Sequence, residues 1–142
     1  MSDTLLVDTG FWIAYFDPRE GDRHKVANDK ADVLNRANLL IPWPIQYEIL
    51  RTRFVKRIDW IVRFDAILKR SRVEFLDDSG YREEAYRQTL EYSTARRPRP
   101  MSMVDVLCRI ILDDPAYQIK YLLTMNPVDF HDVCRPRGIE ML

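Results

Sequence analysis

The sequence predicts an α/β domain in which a mainly parallel sheet of about five strands is covered by helices. Two observations carry that expectation. Short strand-like runs rich in apolar residues at 4–7, 39–41, 73–76 and 121–124 are separated by stretches in which apolar residues recur at helical spacing. That alternation implies βαβ units and hence a parallel sheet between helical layers. The 142 residues contain no internal repeat, low-complexity tract or linker, so one domain spanning 1–142 is expected.

In chain order, TLLV at 4–7 is an apolar run that stops at Asp8, with Gly10 as punctuation, and a helix is expected over 11–16. The stretch 17–22 is a polar turn. Helical spacing of Val26, Ala27, Ala31, Val33 and Leu34 marks a helix over 24–36. Leu39, Leu40 and Ile41 form a second strand that ends at Pro42. Pro44 suits a first helical turn, where its missing N–H costs nothing, so a helix is expected over 44–54. Another follows at 59–69, then a strand at 73–76 and a helix at 79–92. Beyond the Arg/Pro loop at 96–100, Ser102 opens a helix to 112, a strand covers 121–124, and a last short strand falls within 138–142. The aromatic run Phe11, Trp12, Tyr15 and Phe16, with Trp43, Trp60 and Phe64, is expected to build core.

Composition excludes several classes. The 46% hydrophobic content is ordinary for a globular protein, and 22 basic against 22 acidic residues create no global field for nucleic acid. Basic residues nevertheless cluster locally, at Arg51, Arg53, Lys56 and Arg57 and again at Arg96, Arg97 and Arg99, where they either bind phosphate or coat a solvated face. Cys108 and Cys134 lack CxxC spacing, which argues against zinc and against a disulfide scaffold and suits a reducing cytoplasm. No basic leader or apolar stretch of about 18 residues is present, so a membrane location is not expected.

The chemistry is concentrated in carboxylates that are distant in sequence but share one kind of address. Asp8 ends the first strand, where an ordinary role is helix capping. Glu48 shares a helical face with Ile45, Ile49 and Thr52, where an ion pair with Arg51 is the plainer alternative. Asp105 lies on a mostly apolar stripe with Met101, Cys108 and Leu112, and Ser102-Met-Val-Asp105 also fits a capping box. Asn126 and Asp129, in the loop after the 121–124 strand, compete for a fourth place, with Asp132 nearby. Isolated carboxylates beside apolar residues are costly, and a hard divalent cation is the shared partner that oxygen ligands of this type hold. Packed without one, they repel, and at least one carboxyl should titrate high.

Taken together, the order Asp8-Thr9, Glu48 in the second helical unit, Ser102-x-x-Asp105, and Thr124-x-Asn126-x-x-Asp129-Phe130 resembles the PIN domain. More narrowly it is similar to small VapC-type toxin ribonucleases, and the resemblance spans essentially the whole chain, including the FDPREGDRHKVA stretch. It implies a PIN-like α/β/α sandwich that cleaves RNA with Mg²⁺ or Mn²⁺ held by Asp8, Glu48, Asp105 and Asp129 with Asn126. Thr9 and Thr124 match small hydroxyl residues lining the family's site, and Arg51, Arg53, Arg96, Arg97 and Arg99 are candidate contacts to single-stranded RNA. A homodimer and a small antitoxin partner are implied as well. Two departures stand out: Gly10 follows Asp8-Thr9 where Ser or Asn is common, and Asn126 stands where many members carry the fourth acid. The alternatives are a catalytically weak or inactive PIN-fold RNA- or protein-binding module and a housekeeping RNA-processing nuclease.

Overall fold

A computed structural model describes residues 3–70 and 72–142. Five strands, β1 (Thr4–Val7), β2 (Asn38–Pro42), β3 (Arg72–Leu76), β4 (Ile119–Leu123) and β5 (Glu140–Met141), form one sheet in the order β3-β2-β1-β4-β5. Every pairing is parallel. The apolar runs explain the order: central β1 carries Leu5, Leu6 and Val7, all buried, because a parallel strand covered on both faces has no side to give to water. Edge strand β3 is mostly exposed.

The chain steps outward from β1 to β2 to β3, then crosses back to β4 and β5. Given the near-universal right-handed crossover, this reversal sends the early and late helices to opposite faces. The early layer contains α1 (Thr9–Phe16), α2 (Asp22–Lys30), α3 (Trp43–Ile49), α4 (Thr52–Val55) and α5 (Ile58–Arg70). The late layer contains α6 (Arg82–Thr94), α7 (Met103–Asp113) and α8 (His131–Cys134). The result is an α/β/α sandwich. Its strand order switches direction between β1 and β4, the place where doubly wound sheets bind ligands beyond their carboxyl ends.

The early layer is held by aromatic rings. Phe64 on α5 meets Trp12 edge-on at 5.1 Å between centroids, Phe16 at 6.0 Å and Phe54 at 5.8 Å. Phe16 and Phe54 meet edge-on at 5.3 Å. These geometries follow the ring quadrupole, and each pair adds to plain burial.

Two expected helices differ, and one helix is new. The helix expected over 24–36 starts at Asp22 and ends at Lys30, after which 31–35 tighten into a 3₁₀ turn. The helix expected over 44–54 breaks at Leu50 and Arg51, where Arg51 is extended. The Arg51 Nε–H donates to the Glu48 carbonyl at 2.9 Å, satisfying one of the acceptors that a helix end leaves open. The break lets α4 tuck Phe54 into the aromatic layer. Helix α8 was not expected; its four residues are too few to show a period. Among the described residues, no helix is long and apolar enough to cross a membrane.

Because Phe64 touches three rings at once, its truncation leaves a cavity that the layer cannot collapse. Phe64→Ala should lower the unfolding free energy by about 3–5 kcal/mol in urea titrations; a loss well under 1 kcal/mol would contradict this role.

Candidate functional site

Asp8 follows β1 directly, and its N–H donates to the Leu123 carbonyl at 2.9 Å, extending the β1–β4 ladder by one residue. This bond brings Asp8 beside Thr124, the residue after β4. The Asp8 side chain is only 6% exposed. One carboxylate oxygen accepts from the Thr9 N–H at 2.8 Å and the other from the Thr124 hydroxyl at 3.1 Å. Asp8 therefore does cap α1, as its position allows, but capping leaves the carboxylate's charge uncompensated. Burial first, and the neighbouring charges of Asp105 and Glu48 in addition, push its carboxyl up to about 7 against the two hydrogen bonds.

Glu48 is half-buried on α3, and its Oε1 accepts from the Thr9 hydroxyl at 2.6 Å. The alternative of an ion pair with Arg51 is not what forms, since that guanidinium bonds the Glu48 carbonyl and not its carboxylate. Asp105 is half-buried in the first turn of α7, where Ser102 caps the helix by accepting the Asp105 N–H at 3.1 Å. Its carboxyl is also raised, by burial first and by the charges of Asp129 and Glu48, with the Ser102 hydrogen bond opposing. Beneath lies the buried Cys108, whose thiol is held neutral by burial and by Asp8, Asp105 and Glu48. The same helix start that Ser102 caps brings the Asp105 carboxylate into the field of Glu48 and Asp129.

The fourth corner is a 3₁₀ turn, Pro127–Asp129. Its Asn126 N–H donates to the Thr124 hydroxyl at 3.0 Å, so Thr124 links this turn to Asp8. The Asn126 amide donates to Asp129 Oδ2, which leaves the two fourth-place candidates joined and Asp129 within electrostatic reach of Asp105. Arg109 fixes the turn from below. It is 5% exposed and donates to the Asp129 carbonyl at 2.6 Å, to both oxygens of Asp132 at 2.7 and 2.8 Å, and to the Tyr92 hydroxyl at 3.1 Å. Arg109, with Arg99, holds the Asp132 carboxyl far below the usual range, which makes Asp132 a counter-ion outside the acidic group. Sequence reasoning missed Arg109. The signal was available: an arginine one turn after Asp105 sits among Val106, Leu107, Ile110 and Ile111, where only a paired cation belongs.

The expected arginines separate. Arg99 donates to Asp132 and to the Val128 carbonyl at 2.9 Å, and Arg53 pairs with the buried Asp17, so both already have structural partners. Arg96 and Arg97 are exposed on the loop between α6 and α7, and Arg51 is exposed at the α3–α4 break.

Among the described residues, no basic side chain forms an ion pair with Asp8, Glu48, Asp105 or Asp129. Nor do any three His, Cys, Asp or Glu side chains among them form a ready-made metal cluster. The donors nevertheless fit Mg²⁺ or Mn²⁺ in kind: all are hard oxygens, and such ions are held through one or two carboxylates plus waters in place of an all-protein cage. Compared with known proteins, the chain matches no family model and has no match among curated sequences.

The raised Asp8 carboxyl has a definite consequence for stability. Its folded value lies above the 3.8 of the free side chain, so the associated stability is complete below about pH 4 and is lost as pH rises to about 7. Without metal, Asp8→Asn should therefore be more stable than the parent at pH 8, by up to about 4 kcal/mol, with the gap closing towards pH 4. Urea titrations in EDTA at both pH values check this; a parent protein as stable as the variant at pH 8 would contradict it.

Proposed function

We propose that this protein is a metal-dependent endoribonuclease of PIN type, acting as the toxin of a toxin–antitoxin pair. One observation carries the reading. Asp8, Glu48, Asp105 and Asp129 come from the end of β1, from α3, from α7 and from the turn after β4, yet they load charge onto one another at the switch point of the sheet. A group of carboxylates without cationic partners costs stability, and a cation that binds there removes the cost.

On this reading a bound Mg²⁺ or Mn²⁺ polarises the scissile phosphate and makes a water a better nucleophile. Asp8 and Asp105 would hold the ion, which requires Asp8 to lose its proton, so metal affinity should rise with pH through about 7. Glu48, oriented by the Thr9 hydroxyl, is placed to complete the shell or to hold the attacking water. Thr124 fixes the Asp8 carboxylate and the Asn126 backbone together, keeping the two sides of the site in register. The exposed Arg51, Arg96 and Arg97 are available to an RNA backbone. Single-stranded or loop RNA suits such a surface, because a duplex hides its base edges in a narrow groove. The homodimer and the small antitoxin belong to the same proposal and rest on the resemblance alone.

A second reading, a PIN-fold binding module of weak activity, is favoured by the neutral Asn126 amide that donates to Asp129 at the fourth corner. One assay separates the two. Purified protein with Mn²⁺ should cleave unstructured RNA, EDTA should stop it, and Asp8→Ala or Asp105→Ala should reduce the rate by about 100-fold or more with unchanged circular dichroism. RNA left intact by the parent protein with metal would overturn the nuclease reading. A slow parent accelerated by Asn126→Asp would favour the weak module.

A further inference from the structure

The break between α3 and α4 creates a pocket that the acidic site by itself does not require. Its volume is about 670 Å³, within the roughly 300–1,000 Å³ usual for small-ligand sites. Ile13 and Trp60 line its apolar side, and Tyr47, Glu48, Arg51 and Arg53 line the rest. Glu48 therefore belongs both to the pocket and to the acidic group.

Three features on this wall call for an occupant. Tyr47 is 72% exposed, although a ring of that size normally covers core. It also ends a row of rings, tilted against Trp43 at 6.3 Å while Phe75 stacks on Trp43 at 4.6 Å, and most of its own surface stays open. The third feature is charge. Residues 51–57 contain Arg51, Arg53, Lys56 and Arg57, all exposed; Arg53 is paired with Asp17 on the pocket wall, so Arg51 is the lining arginine that forms no ion pair among the described residues. Arg51 uses only its Nε internally, on the Glu48 carbonyl, which leaves the outer edge of the guanidinium facing solvent.

A flat exposed ring beside a cation without an acidic partner and next to carboxylates matches one chemistry: an unpaired nucleobase on the ring, with its phosphate on Arg51. We propose that this pocket binds one unpaired nucleotide flanking the scissile phosphate, with the base stacked on Tyr47 and the adjoining phosphate on Arg51. The inference rests on the nuclease reading and adds to it a subsite and a direction of approach. The acidic site repels a polyanion and the α4 rim attracts it, so the strand is captured over 51–57 and fed past Glu48. Stacking accepts every base, because each has a π-face, so the subsite selects unpaired over paired nucleotides more strongly than it selects among sequences.

The test separates this inference from the nuclease reading by measuring binding without cleavage. The intact protein in EDTA is titrated against a short, fluorescein-labelled, unstructured RNA and followed by anisotropy. Tyr47→Ala should weaken binding by about five- to 100-fold, the range that loss of one stacked base produces. Tyr47→Phe should restore it, and Arg51→Ala should weaken binding with a shallower salt dependence. An RNA carrying an abasic residue at the bound position should bind parent and Tyr47→Ala equally. Unstructured DNA that binds with the same sensitivity to Tyr47→Ala supports the subsite while widening its substrate to single-stranded nucleic acid. Unchanged binding by Tyr47→Ala overturns the inference, even where the parent cleaves RNA with Mn²⁺. Polyglutamate displacing RNA equally from parent and Tyr47→Ala also overturns it, since charge alone would then explain capture. Tyr47-dependent binding without any metal-dependent cleavage supports the pocket and removes the nuclease reading.

Discussion

The carboxylate of Asp8 stands at the end of the central strand, beside a neighbouring strand end, with its charge unpaired. Much of the architecture bears on keeping it there. The ladder bond to Leu123 sets its height. The Thr9 N–H and the Thr124 hydroxyl fix its two oxygens. Neither hydrogen bond offsets burial and the charges of Asp105 and Glu48, and its carboxyl stays high as a result. An acid held in so costly a state is the kind of perturbed group that concentrates at functional sites.

The two helical layers secure the site by different physics. On the early side, edge-to-face rings lock α1, α4 and α5, and α3 leaves β2 with Glu48 turned towards Thr9. On the late side, a buried guanidinium holds the turn at Asp129. Arg109 satisfies a carbonyl, a carboxylate and a hydroxyl at once, which is the condition under which a buried cation is tolerated. Apolar packing positions one half of the acidic group, and a polar clamp positions the other.

Much of this was legible from residue order. Four of the five strands were expected from short runs rich in apolar residues, and the shortest, β5, was placed within a few residues. Asp8 follows a strand and Asp105 opens a helix as expected, whereas Glu48 lies at the far end of α3. Other features resisted local reading for identifiable reasons. The break at Leu50 and Arg51 interrupts a stretch whose helical propensity is good, because tertiary burial of Phe54 overrides propensity. Arg53 and Arg99 look like free cations in sequence, and only folding brings Asp17 and Asp132 to them across 36 and 33 residues.

Periodicity and local chemistry along the chain are enough for the α/β class, the alternation of strand and helix and most of the core, and they single out the acids as candidates. The tertiary structure alone decided which acids share a field. Parallel pairing of β1 with β4 joins Asp8 to Thr124 across 116 residues, and crossovers to opposite faces bring Glu48 and Asp105 to the same sheet end. The reason is physical. Charge–charge interaction and desolvation depend on distance and burial in space, and neither quantity is encoded in the spacing of residues along a chain.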